Sequence, residues 1–371
     1  MPTPHPAAKT TDVSIASTAG SCPISDANRL GLDYRREAEV FGYDGPIIDI
    51  HSHVSSPESA RVFFEAADDY GVDHVWTMTG LDNAKRNSAE LEPELRDRLH
   101  YIAVPDYAKR DAPDTFTTQW HRDIVSFYEL GSRIMKLWAA PRARDFAGDE
   151  LLLDSPNRLE GIRIAYETGY RIFMTHVGDP DTWFQTVYTD ASRYGTKRQQ
   201  FEPLAKLLDQ YHDVTWIGAH MGGNPEDLDW LHGFMEAHPN YVVDTSATKW
   251  QIRELSKHPE RFVEFVEANP GRVLFGSDIV ASADNYRAPA DAGPTSGDGG
   301  TGYDLYASRY WALRAVIETD YQGPSPIVDP DLSKVDPSAD PLATAALSGA
   351  SMPDSLLESL YHGNAAAILG L

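Results

Sequence analysis

The 371-residue sequence predicts an α/β chain folded as a (β/α)8 TIM-like barrel, on three observations. Eight short apolar runs alternate with helical patterns from residue 46 onward. The number of units and the residues they span match those such a barrel requires. The polar residues suited to chemistry also cluster at the C-terminal ends of the runs, the active-site face of this architecture. An open doubly wound sheet is the alternative, since it too alternates strand and helix.

The runs are residues 47–53, 74–79, 101–105, 133–139, 171–177, 215–221, 241–246 and 273–278. Each is short and rich in β-branched or aromatic residues, and near-continuous apolar runs suit strands buried on both faces. Helix punctuation separates them. Ser56-Pro57-Glu58 places a cap, a proline in the first turn and an early acid, and Gly71 closes that helix. Asn224-Pro225-Glu226-Asp227 repeats the pattern before Leu228–Ala237. Residues 199–211 and 252–268 have helical apolar spacing, the second interrupted by Pro259. Long loops are expected at 178–198 and 279–303, both after strand ends, and a Pro- and Asp-rich surface excursion at 323–345. Residues 1–45 read as a flexible leader and lead-in, and 46–371 as a single barrel domain. The first 30 residues have no apolar segment behind a charged start, so the expected compartment is the cytoplasm.

Composition narrows the partners. With 32 Lys+Arg against 56 Asp+Glu the formal charge is −24, which argues against nucleic acid or an anionic membrane as partner. A 42% apolar content is ample for a core. The single cysteine, Cys22, excludes an internal disulfide and a thiolate-cluster zinc site. No run of apolar residues is long enough to span a membrane. The expected partner is a small-molecule substrate, with a homo-oligomer as the common state of such barrels.

His51-Ser52-His53 ends the first run. Residues two apart on a strand share a side, so both imidazoles could converge in the barrel mouth. His176 ends the fifth run, His220 the sixth and Asp278 the eighth. Imidazole and carboxylate suit a borderline divalent ion such as zinc. Five unrelated polar residues at strand ends would each need a separate explanation once buried.

The set His51-x-His53, His176, His220-Met221-Gly222-Gly223 and Gly276-Ser277-Asp278 resembles the amidohydrolase superfamily. The likeness is to its amidohydrolase-related branch, which includes the aminocarboxymuconate-semialdehyde decarboxylase type. Gly363-Asn364-Ala365-Ala366 looks like the ending of that branch, so the resemblance runs over 47–371. It implies a distorted barrel with one divalent metal, zinc first and manganese next. His51, His53, His176 and Asp278 would be the ligands, and His220 the catalytic group that polarises the bond under attack. Asp278 would also accept a proton from water, which such an ion brings toward a pKa of roughly 7. The activity so implied is that of a metal-dependent hydrolase, with activated water attacking an ester, lactone or amide carbonyl of an anionic substrate. A metal-dependent non-oxidative decarboxylase of a carboxylated aromatic or muconate-type acid is the alternative. A non-catalytic metal-binding barrel is the third reading.

Lys136 in the fourth run stays open between three roles. It could be carboxylated and bridge a second metal, hold a substrate carboxylate as an ammonium, or reach solvent along its stem. Trp138, Arg142 and Arg144 after the fourth strand and Lys249 and Trp250 after the seventh are substrate-side candidates. Asp179, Trp183, Arg287, Tyr303 and Arg309 complete them. Asp49 has the strand parity of His51 and is expected to support a ligand from beneath.

Overall fold

The computed structural model describes residues 22–112, 114–282 and 302–371. Nine strand segments form one parallel sheet: β1 (Ile47–Val54), β2 (Val72–Met78), β3 (Leu99–Ala103), β4 (Ile134–Trp138), β5 (Ile172–His176), β6 (Thr215–Gly218), β7 (Tyr241–Asp244), β8 (Val273–Leu274) and β9 (Ile279–Ala281). Their spatial order is the chain order, with β8 on β7 and β9 on β1. β8 and β9 are the two ends of one stretch. The residues between them stay on β1, through Ile50 N donating to Phe275 O at 3.0 Å and Asp278 N to His51 O at 2.7 Å. The sheet therefore closes on itself as an eight-stranded barrel, which excludes the open doubly wound alternative.

The helices follow the punctuation. α1 (Pro57–Asp69) starts at Ser56, whose side chain caps Ser59 N in a capping box. α2 (Phe201–Gln210), α3 (Leu228–Ala237), α4 (Trp250–Leu255) and α5 (Pro259–Ala268) occupy the expected segments, and Pro259 starts a new helix where the pattern breaks. The cap of α3 is Asp227, not Asn224: its carboxylate accepts from Trp230 N. α6 (Gly302–Glu318) and α7 (Asn364–Leu369) follow β9. Ile48, Ile50, Ile102, Ile134 and Met174 fill the barrel interior. Ala365 and Ala366 of α7 close its floor, held by Asn364 Nδ2 on Val273 O at 2.8 Å. That placement gives the Gly-Asn-Ala-Ala ending its structural role.

Three expectations change. Residues 22–45, read as leader and lead-in, include the buried Ala27 and Tyr34, and Arg29 N bonds Pro326 O at 2.8 Å. The 323–345 excursion belongs to an antiparallel hairpin, β10 (Gln322–Val328) with β11 (Thr344–Ser348). The 178–198 loop carries short helices at Asp181–Thr186 and Ala191–Tyr194. Most of the 279–303 loop, Arg287 included, lies outside the described residues. Among the described residues no helix is long and apolar enough to cross a membrane.

Candidate metal centre and active-site mouth

β6 and β8 stop three and four residues before the ends of their predicted runs, and both stops are chemical. His220 (φ 59°) and Met221 (φ 51°) follow β6 in left-handed backbone, as does Asp278 (φ 57°) before β9. Non-glycine residues rarely adopt this region, and its cost persists only where neighbours over-determine the geometry. Glycines allow the close approaches. A Cβ on Gly276 would lie 2.9 Å from His51 Cβ, and one on Gly223 2.7 Å from Gly178 Cα.

His51, His53 and Asp278 come together. Asp278 Oδ1 lies 3.1 Å from His53 Nε2 and 3.4 Å from His51 Nε2, and one donor atom from each residue lies within 4.8 Å of the others. Two imidazoles and a carboxylate at these separations fit a divalent ion held at about 2.0–2.2 Å, with positions left open. The orientation of His51 supports the fit. Its Nδ1 donates to Asp244 Oδ2 at 2.8 Å, which leaves Nε2 facing Asp278, where its proton is shared with the carboxylate until an ion takes that proton's place. Burial alone would raise the Asp278 pKa, but hydrogen bonds from His51 and His53 hold its carboxyl well below the usual range.

Asp244 and Ser246, to which sequence reasoning assigned no role, organise the mouth. Asp244 Oδ1 accepts from His220 N at 2.9 Å and Ser246 N at 3.1 Å, and also from the Ser246 hydroxyl. With that proton committed, Ser246 Oγ accepts from His220 Nδ1 at 2.8 Å. The neutral His220 ring then turns an Nε2 lone pair toward the mouth. Burial first, then His176, depress its pKa well below 6.5, so the neutral form prevails at pH 7. Stabilising developing negative charge by donation from Nε2 would require the protonated ring. The signal for Asp244 and Ser246 was present: polar residues two apart at a strand end, the same pattern as His51 and His53.

His176 stands outside the close triad. Its Nε2 lies 2.9 Å from Asp179 Oδ1, Asp179 Oδ2 accepts from Tyr188 at 2.6 Å, and its ring centroid is 4.6 Å from that of His220. Asp49 does not share the side of His51. The β1–β2 register shifts between Asp49 and Ser52, and Tyr310 of α6 donates to Asp49 at 2.9 Å from the helix layer. Asp49 still supports the site, since Ser277 Oγ and His51 N donate to it at 2.6 and 3.1 Å.

Two clefts meet at these residues. One of about 630 Å³ runs from His51, His53 and Asp278 past Lys136 to Tyr107, Phe116, Trp138 and Phe146. The other, about 330 Å³, runs from His176, His220 and Asp278 to Trp183, Lys249, Trp250 and Arg309. Lys136 is 5% exposed, so its stem does not carry it to solvent, and Nζ has no hydrogen-bond partner among the described residues. Burial depresses its pKa to about 8, with Asp244 and Asp278 partly offsetting the shift. Arg142 lines neither cleft. The turn Pro141–Ala143 carries it outward, to 5.8 Å above the Phe146 ring. Arg144 pairs with Asp149 at 3.3 Å and Tyr303 donates to Asp69 at 2.6 Å, so neither is committed to the mouth.

A family model described as Amidohydrolase matches residues 171–371. No curated protein matches the chain. Among solved structures, 5-carboxyvanillate decarboxylase from Sphingomonas paucimobilis is 11% identical, with 88% of this chain and 99% of that one covered at a TM-score of 0.44. N-isopropylammelide isopropylaminohydrolase from Burkholderia multivorans is 14% identical, with 88% and 74% covered at 0.46. An amidohydrolase 2 from Bifidobacterium longum subsp. infantis is 14% identical, with 63% and 84% covered at 0.37. The family match spans more than half of the sequence and includes His176, His220 and Asp278: the chain belongs to the amidohydrolase family, a typically metal-dependent family of enzymes.

Proposed function

We propose that this protein is a metal-dependent hydrolase that cleaves an ester, lactone or amide of a small anionic substrate. The observation that carries the reading is the convergence of His51, His53 and Asp278 beside a buried Lys136, without a hydrogen-bond partner among the described residues, and an aromatic-walled cleft. His51, His53 and Asp278 would hold the ion, with His176 as a further donor; zinc suits this set best and manganese is the alternative. The ion would polarise a carbonyl and make water more acidic.

The protein's own groups divide the remaining work. Lys136 as an ammonium holds a substrate carboxylate by charge-assisted hydrogen bonds. Carboxylated instead, it would bridge a second ion. Trp138 and Phe146 pack an apolar body and exclude water, and Lys249 flanks the second cleft. His220 Nε2 or the Asp278 carboxylate takes the proton of the attacking water. The same proton then goes to the leaving oxygen or nitrogen as its bond to the carbonyl carbon breaks. Partners follow the same reading: a small molecule, without nucleic acid or membrane, in a cytoplasmic and homo-oligomeric enzyme.

The aromatic wall with a cation at its base also favours a second reading, non-oxidative decarboxylation of an aromatic or muconate-type acid within the aminocarboxymuconate-semialdehyde decarboxylase-like branch. A protonated His220 would then deliver a proton to the carbon that loses carbon dioxide. The test is metal content and turnover of Asp278→Asn on lactones, amides and aromatic acids, with carbon dioxide measured. Turnover should fall about 10²–10⁴-fold, with loss of metal. Full occupancy and activity would refute both readings, and carbon dioxide release would select the second.

A further inference from the structure

His74 and His100 form a pair away from the mouth. His74 on β2 shares the side of Trp76 and Met78, and His100 on β3 that of Ile102, so both turn inward near the barrel floor. His74 Nδ1 lies 3.1 Å from His100 Nε2. On its other side, His74 Nε2 faces the Asp73 carboxylate at 3.5 Å. The Trp76 indole stacks on the His100 ring with centroids 4.1 Å apart.

We propose that His74 and His100 form a second, exchangeable site for a borderline transition ion such as Zn2+ or Cu2+, at the opposite end of the barrel from the mouth. Two imidazole nitrogens at about 2.0–2.1 Å from a tetrahedral ion stand roughly 3.3 Å apart, close to the separation already in place. The Asp73 carboxylate beside Nε2 favours the tautomer that carries its proton there, which leaves the Nδ1 lone pair facing His100. His100 needs only to move its proton to Nδ1 to present a second lone pair. The His74 side chain is 32% exposed, so water can complete the coordination shell. Two protein donors make an open, labile site, weaker than a four-ligand structural one. The proposal does not depend on the reading of the mouth.

Isothermal titration of the ion-free full-length chain with Zn2+ and with Cu2+ at pH 7.5 tests it. Wild type should bind one equivalent more than His74→Ala or His100→Ala, and His53→Ala should retain that equivalent. Cu2+ should also quench part of the tryptophan emission in wild type, and that part should be absent from His100→Ala. Should either alanine variant fail to fold by circular dichroism, His74→Gln and His100→Gln keep an inter-strand hydrogen bond and serve for the same comparison. Equal stoichiometry in wild type and the folded His74 and His100 variants would overturn the site.

Discussion

The two ends of the barrel are built on opposite rules. Below, Ile48, Ile102, Ile134 and Leu274 are fully buried in one apolar cluster with the small Ala365 of α7, and the part-buried His74 and His100 sit beside it. Above, the strands end in buried polar groups, left-handed backbone at His220 and Asp278, and an ammonium without a hydrogen-bond partner among the described residues. Each of those features costs stability. The contrast teaches that a close-packed interior lets the mouth keep an arrangement that would not be stable alone. Asp244 organises the upper end, because a carboxylate at the top of β7 orients His51 and His220 together.

That comparison can be broken from the interior first. Ile102→Ala removes a fully buried side chain that lines neither cleft and should cost about 2–5 kcal/mol in urea unfolding. Metal content should be unchanged; loss of metal would mean that interior and mouth are not separable. Lys136→Met should do the reverse. Losing a charged hydrogen bond worth about 1.5–3 kcal/mol should raise KM for carboxylated substrates roughly 10–100-fold. Neutral analogues should be spared and unfolding stability should hold or rise, whereas a marked fall in stability would make Lys136 a structural residue.

Asp244→Asn sharpens the contrast further. Without the carboxylate behind His51, metal affinity should drop about 10–100-fold, as chelator competition would measure. At neutral pH the smallest effect is at the floor, because it appears only as the pH falls. The folded His100 pKa of about 4 lies below its ordinary 6.5, so on acidification the unfolded chain takes up the proton first. Its contribution is therefore full above pH 6.5 and lost toward pH 4, on the order of 1 kcal/mol per pH unit. His100→Gln should flatten that part of the urea-midpoint profile, and an unchanged slope would show that the ring is not held neutral.

Much of the barrel was legible because its information is local. Apolar runs of strand length, Ser56-Pro57 at the start of α1 and Pro259 at the start of α5 each act through neighbouring residues. His51, His53 and Asp278 were legible as a group because strand ends of a parallel barrel share one face. The hairpin of β10 with β11 was harder to see. Pro324 and Pro326 speak against a strand locally, yet prolines are tolerated where a two-stranded ribbon leaves the amide position unpaired. Arg142 looked like a mouth residue from its distance to a strand end, but the turn that carries it away depends on packing.

The residue pattern alone specified an acidic α/β chain with eight strand–helix units and the donor types of a divalent-metal site. It did so because periodicity and side-chain chemistry are properties of short segments. Tertiary structure alone decided which nitrogen of each histidine faces the mouth, that Asp49 is held from the helix layer, and that Lys136 is enclosed. Those outcomes depend on a register shift in β1 and on contacts between residues as distant in the chain as His51 and Asp244, and no local pattern encodes them.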